Sequence, residues 1–303
     1  MSVSLLTTPR AWVDRHVRSR LPGAAPRNPL AGKRILVTGA SSGIGAATAR
    51  ACAARGATVL LVARRAEGLG QVLREIEERG GTATAYPCDL TDGPAVDDLV
   101  ARVLDEHGGV DLLVNNAGRS IRRSIALSYD RMHDFERTMA INYFAPVRLM
   151  LGLLPGMVER GLRRDVRREL GCLHLHAPGE DVDHVAAPAL DVFSRIAGRE
   201  LYGDGVTFTN IRLSLVRTAM IGPTDAYRRA PALSPEQAAE KVVRALEDRP
   251  ITVNVVAGNV AEVFNLVAPR LSDVFFHRLS RRFPDSRAAA RHIEEPAEDS
   301  AAS

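Results

Sequence analysis

Lysine is almost missing from this chain: of 40 basic residues, all but Lys33 and Lys241 are arginine. Any chemistry that needs an amine between those two positions is excluded. Cysteine is nearly as scarce. Cys52, Cys88 and Cys172 have no metal spacing and make no disulfide framework. A sparse, odd set fits a reducing compartment, so a cytoplasmic location is expected. No apolar run approaches the ~20 residues of a membrane-spanning helix, and the first residues lack the apolar core of a secretory signal. The net charge of +4 is too mild to point to nucleic acid, and no such partner is expected. What remains, 303 residues at 46% hydrophobic and 25% charged, is ordinary for one large α/β domain with extra segments.

The most informative stretch runs from Arg34 to Gly45, RILVTGASSGIG. Four mostly apolar residues read as a buried parallel strand. Gly39, Gly43 and Gly45, spaced G-x-x-x-G-x-G, then turn the chain into a helix of small residues, Ala46 to Ala54. Glycine is required where the backbone turns tightly and approaches a pyrophosphate. The helix start offers N–H groups and the positive end of its dipole to that phosphate. A second continuous apolar strand, Thr58 to Ala63, ends at Arg64 and Arg65. A carboxylate near this point would hold ribose hydroxyls. A guanidinium instead suits a 2′-phosphate, so NADP(H) is favoured over NAD(H). The bland alternative is two solvated arginines opening a helix.

Further strands are expected at Thr82 to Tyr86 and Asp111 to Asn115, and a long helix at about Tyr129 to Leu154. Asp89 either accepts from an adenine amino group or caps the helix that starts near Pro94. Asn142, polar among Met139, Ile141, Tyr143 and Phe144, is either a satisfied core amide or a site residue. Later come a helix at Ala189 to Leu201 and a strand at Thr207 to Leu215. A helix capped by Ser234 and Gln237 and a last strand at Ile251 to Val256 follow. Alternating strands and helices imply a parallel sheet with right-handed crossovers.

The ends differ from this core. Residues 1–30 are expected to be an arm. Trp12, Val13, His16, Val17 and Leu21 recur at helical spacing among arginines, and prolines then break the chain; the readings are a basic amphipathic helix on a membrane surface or a short arm packed on its own domain or a dimer mate. Val260, Val263, Phe264, Val267, Leu271, Val274, Phe275 and Leu279 make an amphipathic helix within 258–282. Its readings are packing, on its own domain or as a dimer element, lining an apolar substrate channel, or peripheral membrane contact. Residues 283–303 read as a disordered tail.

Taken together, Thr38-Gly39-x-x-x-Gly43-Ile44-Gly45, Asp89, Asn115-Asn116-Ala117-Gly118 and Asn142 resemble the short-chain dehydrogenase/reductase family in order and spacing. The resemblance covers roughly residues 30–257, with the domain itself at 31–257. The wording of Asn115–Ser124, Met139–Phe144 and Leu215–Thr218 looks most like the reductase domain of bacterial fatty acyl-CoA reductases. The resemblance implies a Rossmann-type α/β fold with a doubly wound parallel sheet in three layers. It implies a homo-oligomer acting on a small apolar carbonyl compound, a long-chain aldehyde or acyl thioester. It places Thr38, Gly39, Ser41, Ser42, Gly43, Ile44 and Gly45 at the pyrophosphate and Arg64 and Arg65 at the 2′-phosphate. Asp89 and Leu90 flank the adenine, and Asn116, Ala117 and Gly118 the adenosine ribose. Asn142 organises the proton relay, and Leu215, Val216 and Thr218 lie against the nicotinamide. No metal is expected.

The family's reaction also needs a Tyr that donates a proton, a Lys four residues later that lowers the Tyr pKa, and a Ser ending the fifth strand. None of the five tyrosines has a lysine four residues on. Counting back from Ala189-Leu190-Asp191 puts Asp183 and Ala187 at the Tyr and Lys positions, or His184 and Pro188 with one deletion. Where an apolar fifth strand is expected, the chain reads LRRDVRREL from Leu162 to Leu170. The alternating stretch Cys172 to His176 suits a strand exposed on one face rather than a central one. His174, His176 and His184 with Glu180, Asp181 and Asp183 form a His/carboxylate-rich stretch without a clear scaffold. Two compensating frameshifts across about 162–188 fit the pattern better: codons for Leu-Arg-Arg read one nucleotide later can give Phe-Val-Val. The alternatives are a reductase that has lost its acid, or a nucleotide-binding pseudoenzyme.

Overall fold

The computed structural model describes residues 2–5, 28–120, 127–162, 170–176, 183–221, 230–255, 264 and 266–280. Its centre is an eight-stranded sheet. The strands in chain order are β1 (Ser2–Leu5), β2 (Arg34–Thr38), β3 (Thr58–Ala63), β4 (Thr82–Pro87), β5 (Leu112–Asn115), β6 (Leu170–His176), β7 (Val206–Arg212) and β8 (Thr252–Val255). Their spatial order is β1-β8-β7-β6-β5-β2-β3-β4. β2 to β8 are mutually parallel, and β1 pairs antiparallel with β8.

The apolar runs lie where both faces are covered. Ile35 and Val37 point into one core with Val59 and Leu61, while Leu36 points into the other with Leu60 and Leu113. The first core is roofed by α1 (Gly43–Ala53), α2 (Ala66–Glu77) and α7 (Pro235–Asp248). The second is roofed by α3 (Gly93–His107), α5 (Ala145–Leu162) and α6 (Asp183–Glu200). A strand buried on both faces has no use for alternation, which is why these strands read as continuous runs. α4 (Met132–Met139) leads into α5 through a π-helical turn, Ala140–Phe144. The whole Met132–Arg160 helix has the length and hydropathy of a membrane span. Leu149, Met150, Leu153 and Met157 are nevertheless buried in the second core.

Several expectations are corrected. The first helix begins at Gly43, not Ala46, so two of the three glycines lie inside it. The helix over Asn142 runs on to Leu162 through Pro155, eight residues past its expected end. α6 begins at Asp183 rather than Ala189 and runs through Pro188. The strand expected to reach Leu215 ends at Arg212. Leu215 and Arg217 instead pair with Leu233, whose N–H donates to Leu215 and whose carbonyl accepts from Arg217. Asp89 does not cap α3; Asp92 does, accepting from the Ala95 N–H at 3.3 Å.

The alternating stretch expected to lie off-centre is the central strand β6, bonded to β5 on one side and β7 on the other. The ladder is made by the backbone, so residue type does not forbid it. The arm's first residues form β1, packed on the edge of the chain's own sheet. The arm's apolar positions from Trp12 to Leu21 lie outside the described residues, as do Val260 and Val263. The C-terminal helix is described as α8, Pro269–Ser280.

Candidate functional site

All the candidate residues lie at one edge of the sheet, beyond the carboxyl ends of β2, β3, β4, β5 and β7. The chain runs outward from β2 to β3 and β4, then returns to place β5 on the other side of β2. That reversal opens a crevice at the β2/β5 carboxyl ends, the position where ligands bind in open α/β sheets.

The crevice is stitched by Thr38. Its buried hydroxyl donates to the Val114 carbonyl at 3.2 Å and accepts from the N–H groups of Asn116 and Ala117 at 2.9 and 3.0 Å. The Asn116 amide donates to the Thr38 carbonyl at 2.8 Å. These bonds fix the Asn116-Ala117-Gly118 turn against the glycine turn. Backbone conformation explains two of the glycines. Gly39 has φ +67° and Gly43 φ +55°, a region costly for other residues. Gly45 is needed for space: a Cβ there would overlap the Gly39 carbonyl and the Asn116 amide.

The start of α1 opens into the crevice. Ser42 occupies the N-cap position without a side-chain cap bond, and the first turn holds no acidic residue. Its N–H groups and dipole are therefore presented to whatever anion enters, as a pyrophosphate cradle requires. Ser41 packs under α2, where a Cβ on Gly68 would lie 3.0 Å from it. Ile44 packs against the first core. On the far side, Thr218 approaches Gly43, with its methyl 3.1 Å from where a Cβ would be. Val216 is buried, and Leu215 is pinned beside it by Leu233.

Arg64 and Arg65 leave the end of β3 exposed to solvent, and Arg65 is the residue before α2. The Arg64 guanidinium stands 3.9 Å from the Asp89 carboxylate and is 77% exposed, so little holds it. Asp89 is held instead by Thr91, whose N–H and hydroxyl donate to it at 3.0 and 2.7 Å. Those bonds keep its carboxyl below the usual carboxylate range, with Arg64 adding to them. Leu90 is buried in the second core. The sequence reading missed Thr91, although Asp-x-Thr is a recognisable turn signal.

Asn142 sits in the π-turn. Its amide donates to the Arg119 carbonyl at 2.8 Å, and its oxygen accepts from the Arg119 N–H at 2.9 Å. A Cβ on Gly118 would lie 3.2 Å from that oxygen. A π-turn inserts one residue's worth of extra rotation, and such turns concentrate at functional sites. Here it carries Asn142 to the strand-end loop.

The structure thus brings together the glycine turn, the Asn116 turn, Thr218, Asn142 and the Arg64–Asp89 pair. α6 starts at Asp183, so both pairs reached by counting back, Asp183 with Ala187 and His184 with Pro188, fall in its first turns. Glu180 and Asp181 of the His/carboxylate stretch, and Ile121 to Ser124 beyond Asn115, lie outside the described residues. The sequence reading also missed the anchor of α6. Asp191, buried, accepts from the Asn210 amide at 2.5 Å and pairs with Arg195 at 2.9 Å and Arg212 at 3.5 Å. This network ties α6 to β7 just below the site edge.

An apolar groove of about 450 Å³ lies elsewhere, between α5 and α6, lined by Leu151, Leu154, Val158, Phe193 and Ile196 among others. It is ~13–24 Å along the helix from Asn142 and belongs to the outer surface.

A family model described as short chain dehydrogenase matches residues 33–163. The chain is 44% identical over 264 residues to a fatty acyl-CoA reductase of Acinetobacter baylyi, covering 87% of this chain and 89% of that one. It is 44% identical over 250 residues to a fatty acyl-CoA reductase of Mycobacterium tuberculosis, covering 82% and 85%. Among solved structures, a metagenomic short-chain oxidoreductase in complex with NADP is 28% identical with a TM-score of 0.60, covering 73% of this chain and 92% of that one. A short-chain dehydrogenase from Streptomyces avermitilis is 27% identical with a TM-score of 0.66, covering 84% and 100%. With the glycine turn, the Asn116 turn and Asn142 at one sheet edge, the chain belongs to the short-chain dehydrogenase/reductase family of oxidoreductases.

Proposed function

We propose that this chain binds NADP(H) at the β2/β5 crevice and has the framework of a reductase for long-chain aldehydes or acyl thioesters, without the acid that completes the reaction. The observation that carries the first part is the glycine turn locked to Asn116 by Thr38, with the uncapped start of α1 opening onto it. When bound, the dinucleotide supplies or accepts a hydride. The chain's own residues bind and orient it. The start of α1 holds the pyrophosphate, and Arg64, loosely tied to Asp89, is placed for a 2′-phosphate. Leu215, Val216 and Thr218 wall the nicotinamide side, and Asn142 sets the relay geometry. The two fatty acyl-CoA reductases support the apolar substrate class.

The second part rests on positions 183–188, where no tyrosine–lysine pair occurs. Without a phenol and a cation to lower its pKa, this stretch lacks the family's proton donor. The test is a titration of NADPH against the purified chain, followed by addition of a long-chain aldehyde. Binding without aldehyde-dependent oxidation is expected. Turnover at an enzyme's usual rate, above ~1 s⁻¹, would overturn the loss. Absence of binding would overturn the nucleotide reading.

One observation favours a second reading. The family model stops at residue 163, where the sequence loses the family pattern, while the relatives align well beyond it. That abrupt edge supports a shifted reading frame through the segment. Sequencing the coding DNA across 155–195 decides: an alternative frame spelling an apolar strand, a Ser and Tyr-x-x-x-Lys makes the parent an ordinary reductase, and no such frame makes the loss genuine. We further propose a cytoplasmic homo-oligomer. The exposed Leu151, Val192 and Ile196 on α5 and α6 support it, and sedimentation of the chain as a monomer would refute it.

A further inference from the structure

α8 turns an apolar side to solvent. The described residue that it buries is Ser272, 1% exposed, while Leu271, Val274 and Phe275 stand 66%, 50% and 54% exposed. Just before it, Leu266 and Val267 are 83% and 76% exposed. A helix that packs on its own domain turns an apolar stripe inward; the described apolar side chains of this one, Leu271, Val274 and Phe275, stand toward solvent. Phe275 is braced by Phe264, ring to ring at 6.2 Å, so the patch has a fixed base.

The charge on this surface points to what covers it. At 100° per residue, Arg270 and Arg278 fall on the same outward side as Val267, Leu271 and Val274, and both are exposed. Between Phe264 and Arg282 the sequence has four arginines, Arg270, Arg278, Arg281 and Arg282, against one acidic residue, Asp273. A two-fold contact with a second copy would set these arginines against each other, because the same patch meets itself. A bilayer with anionic headgroups avoids that conflict. Its phosphates take the guanidinium groups while the stems of the same side chains lie along the apolar layer. We propose that α8 is an interfacial anchor that lays Leu266, Val267, Leu271 and Val274 into the headgroup layer of an anionic phospholipid bilayer, with Arg270 and Arg278 on the lipid phosphates.

The anchor stands apart from the reductase reading, since binding to lipid needs no turnover. The experiment is co-sedimentation of the full chain with phosphatidylglycerol-containing vesicles and with pure phosphatidylcholine vesicles, at low and high salt. Binding to the anionic vesicles alone, weakened by salt, is expected. Arg270→Glu with Arg278→Glu weakens it about fivefold or more per position. Leu271→Glu with Val274→Glu abolishes it, while the chain's urea midpoint stays where it was because these side chains touch solvent. Equal binding to both vesicle types, or none to either, overturns the proposal without any variant. So does a result in which Leu271→Glu with Val274→Glu splits an oligomer and leaves vesicle binding unchanged, which would make a second copy the occupant.

Discussion

Thr38 holds three backbone groups with one hydroxyl, and a valine of almost the same shape would serve none of them. Thr38→Val would orphan the Asn116 and Ala117 N–H groups and should cost about 1–3 kcal/mol of stability. A lower urea midpoint with an unchanged slope would show it. Gly43→Asp adds a β-carbon at positive φ within 3.1 Å of the Thr218 methyl and puts a negative charge at the start of α1. NADPH binding should be lost in titration, and unchanged affinity would refute the placement of the pyrophosphate. Cys52 is fully buried, and that burial pushes its thiol up to about 12. At pH 8 only about one thiol in ten thousand is ionised. In a chain with Cys88 and Cys172 replaced by Ser, a thiol reagent should modify Cys52 only as fast as the protein unfolds.

Among the elements, β2 and β5 are joined at their amino ends by Asp111, which accepts from the Arg34 N–H at 2.9 Å and its guanidinium at 3.4 Å. Burial pushes the Asp111 carboxyl up, but the Arg34 N–H and the charges of Lys33 and Arg34 outweigh it and hold the group below its ordinary 3.8. A carboxyl lowered on folding stabilises above its unfolded value and loses that contribution as pH falls through the folded one. Acid unfolding below about pH 4 should therefore be steeper for the native chain than for Asp111→Asn, as read from urea midpoints across pH.

β2, β3 and β5 were legible in the sequence because burial on both faces writes itself as an unbroken apolar run. The glycine turn was legible because only glycine meets its steric demands. Other features carry no such mark. Pro155 reads as a stop, yet α5 passes through it, tertiary packing overriding local preference. The extra residue of the π-turn leaves no trace in a 3.6-residue pattern. β6 is held by backbone bonds to two neighbours, so its alternation misled. Asp191 carries no mark of its own in the sequence, and only the fold shows Asn210 and Arg212 converging on it. Thr91 was visible as a turn signal but had no stated role until Asp89 was seen to need it.

For the molecule as a whole, ligand linkage gives a clean reading. A dinucleotide bound only by the folded chain, at a hundred times its dissociation constant, adds about 2.7 kcal/mol. That corresponds to a rise of roughly 5 °C in the melting temperature. NADPH should produce that rise. NADH at the same concentration should produce less, because Arg64 and Arg65 would find no 2′-phosphate. Equal shifts would remove the arginines from cofactor choice.

The sheet's outermost pairing has a consequence for how the chain is made. Ser2 lies opposite Val255, so the strand synthesised first waits for the strand synthesised last. At ordinary elongation rates the interval is roughly 12–50 s. Through that time Ser2–Leu5 is an unpaired edge sequence beside its own growing neighbours on a polysome. The six inner parallel ladders can zip in order as the ribosome advances. β1 can close only after Thr252–Val255 has emerged, which makes its ladder the last part of the sheet to form.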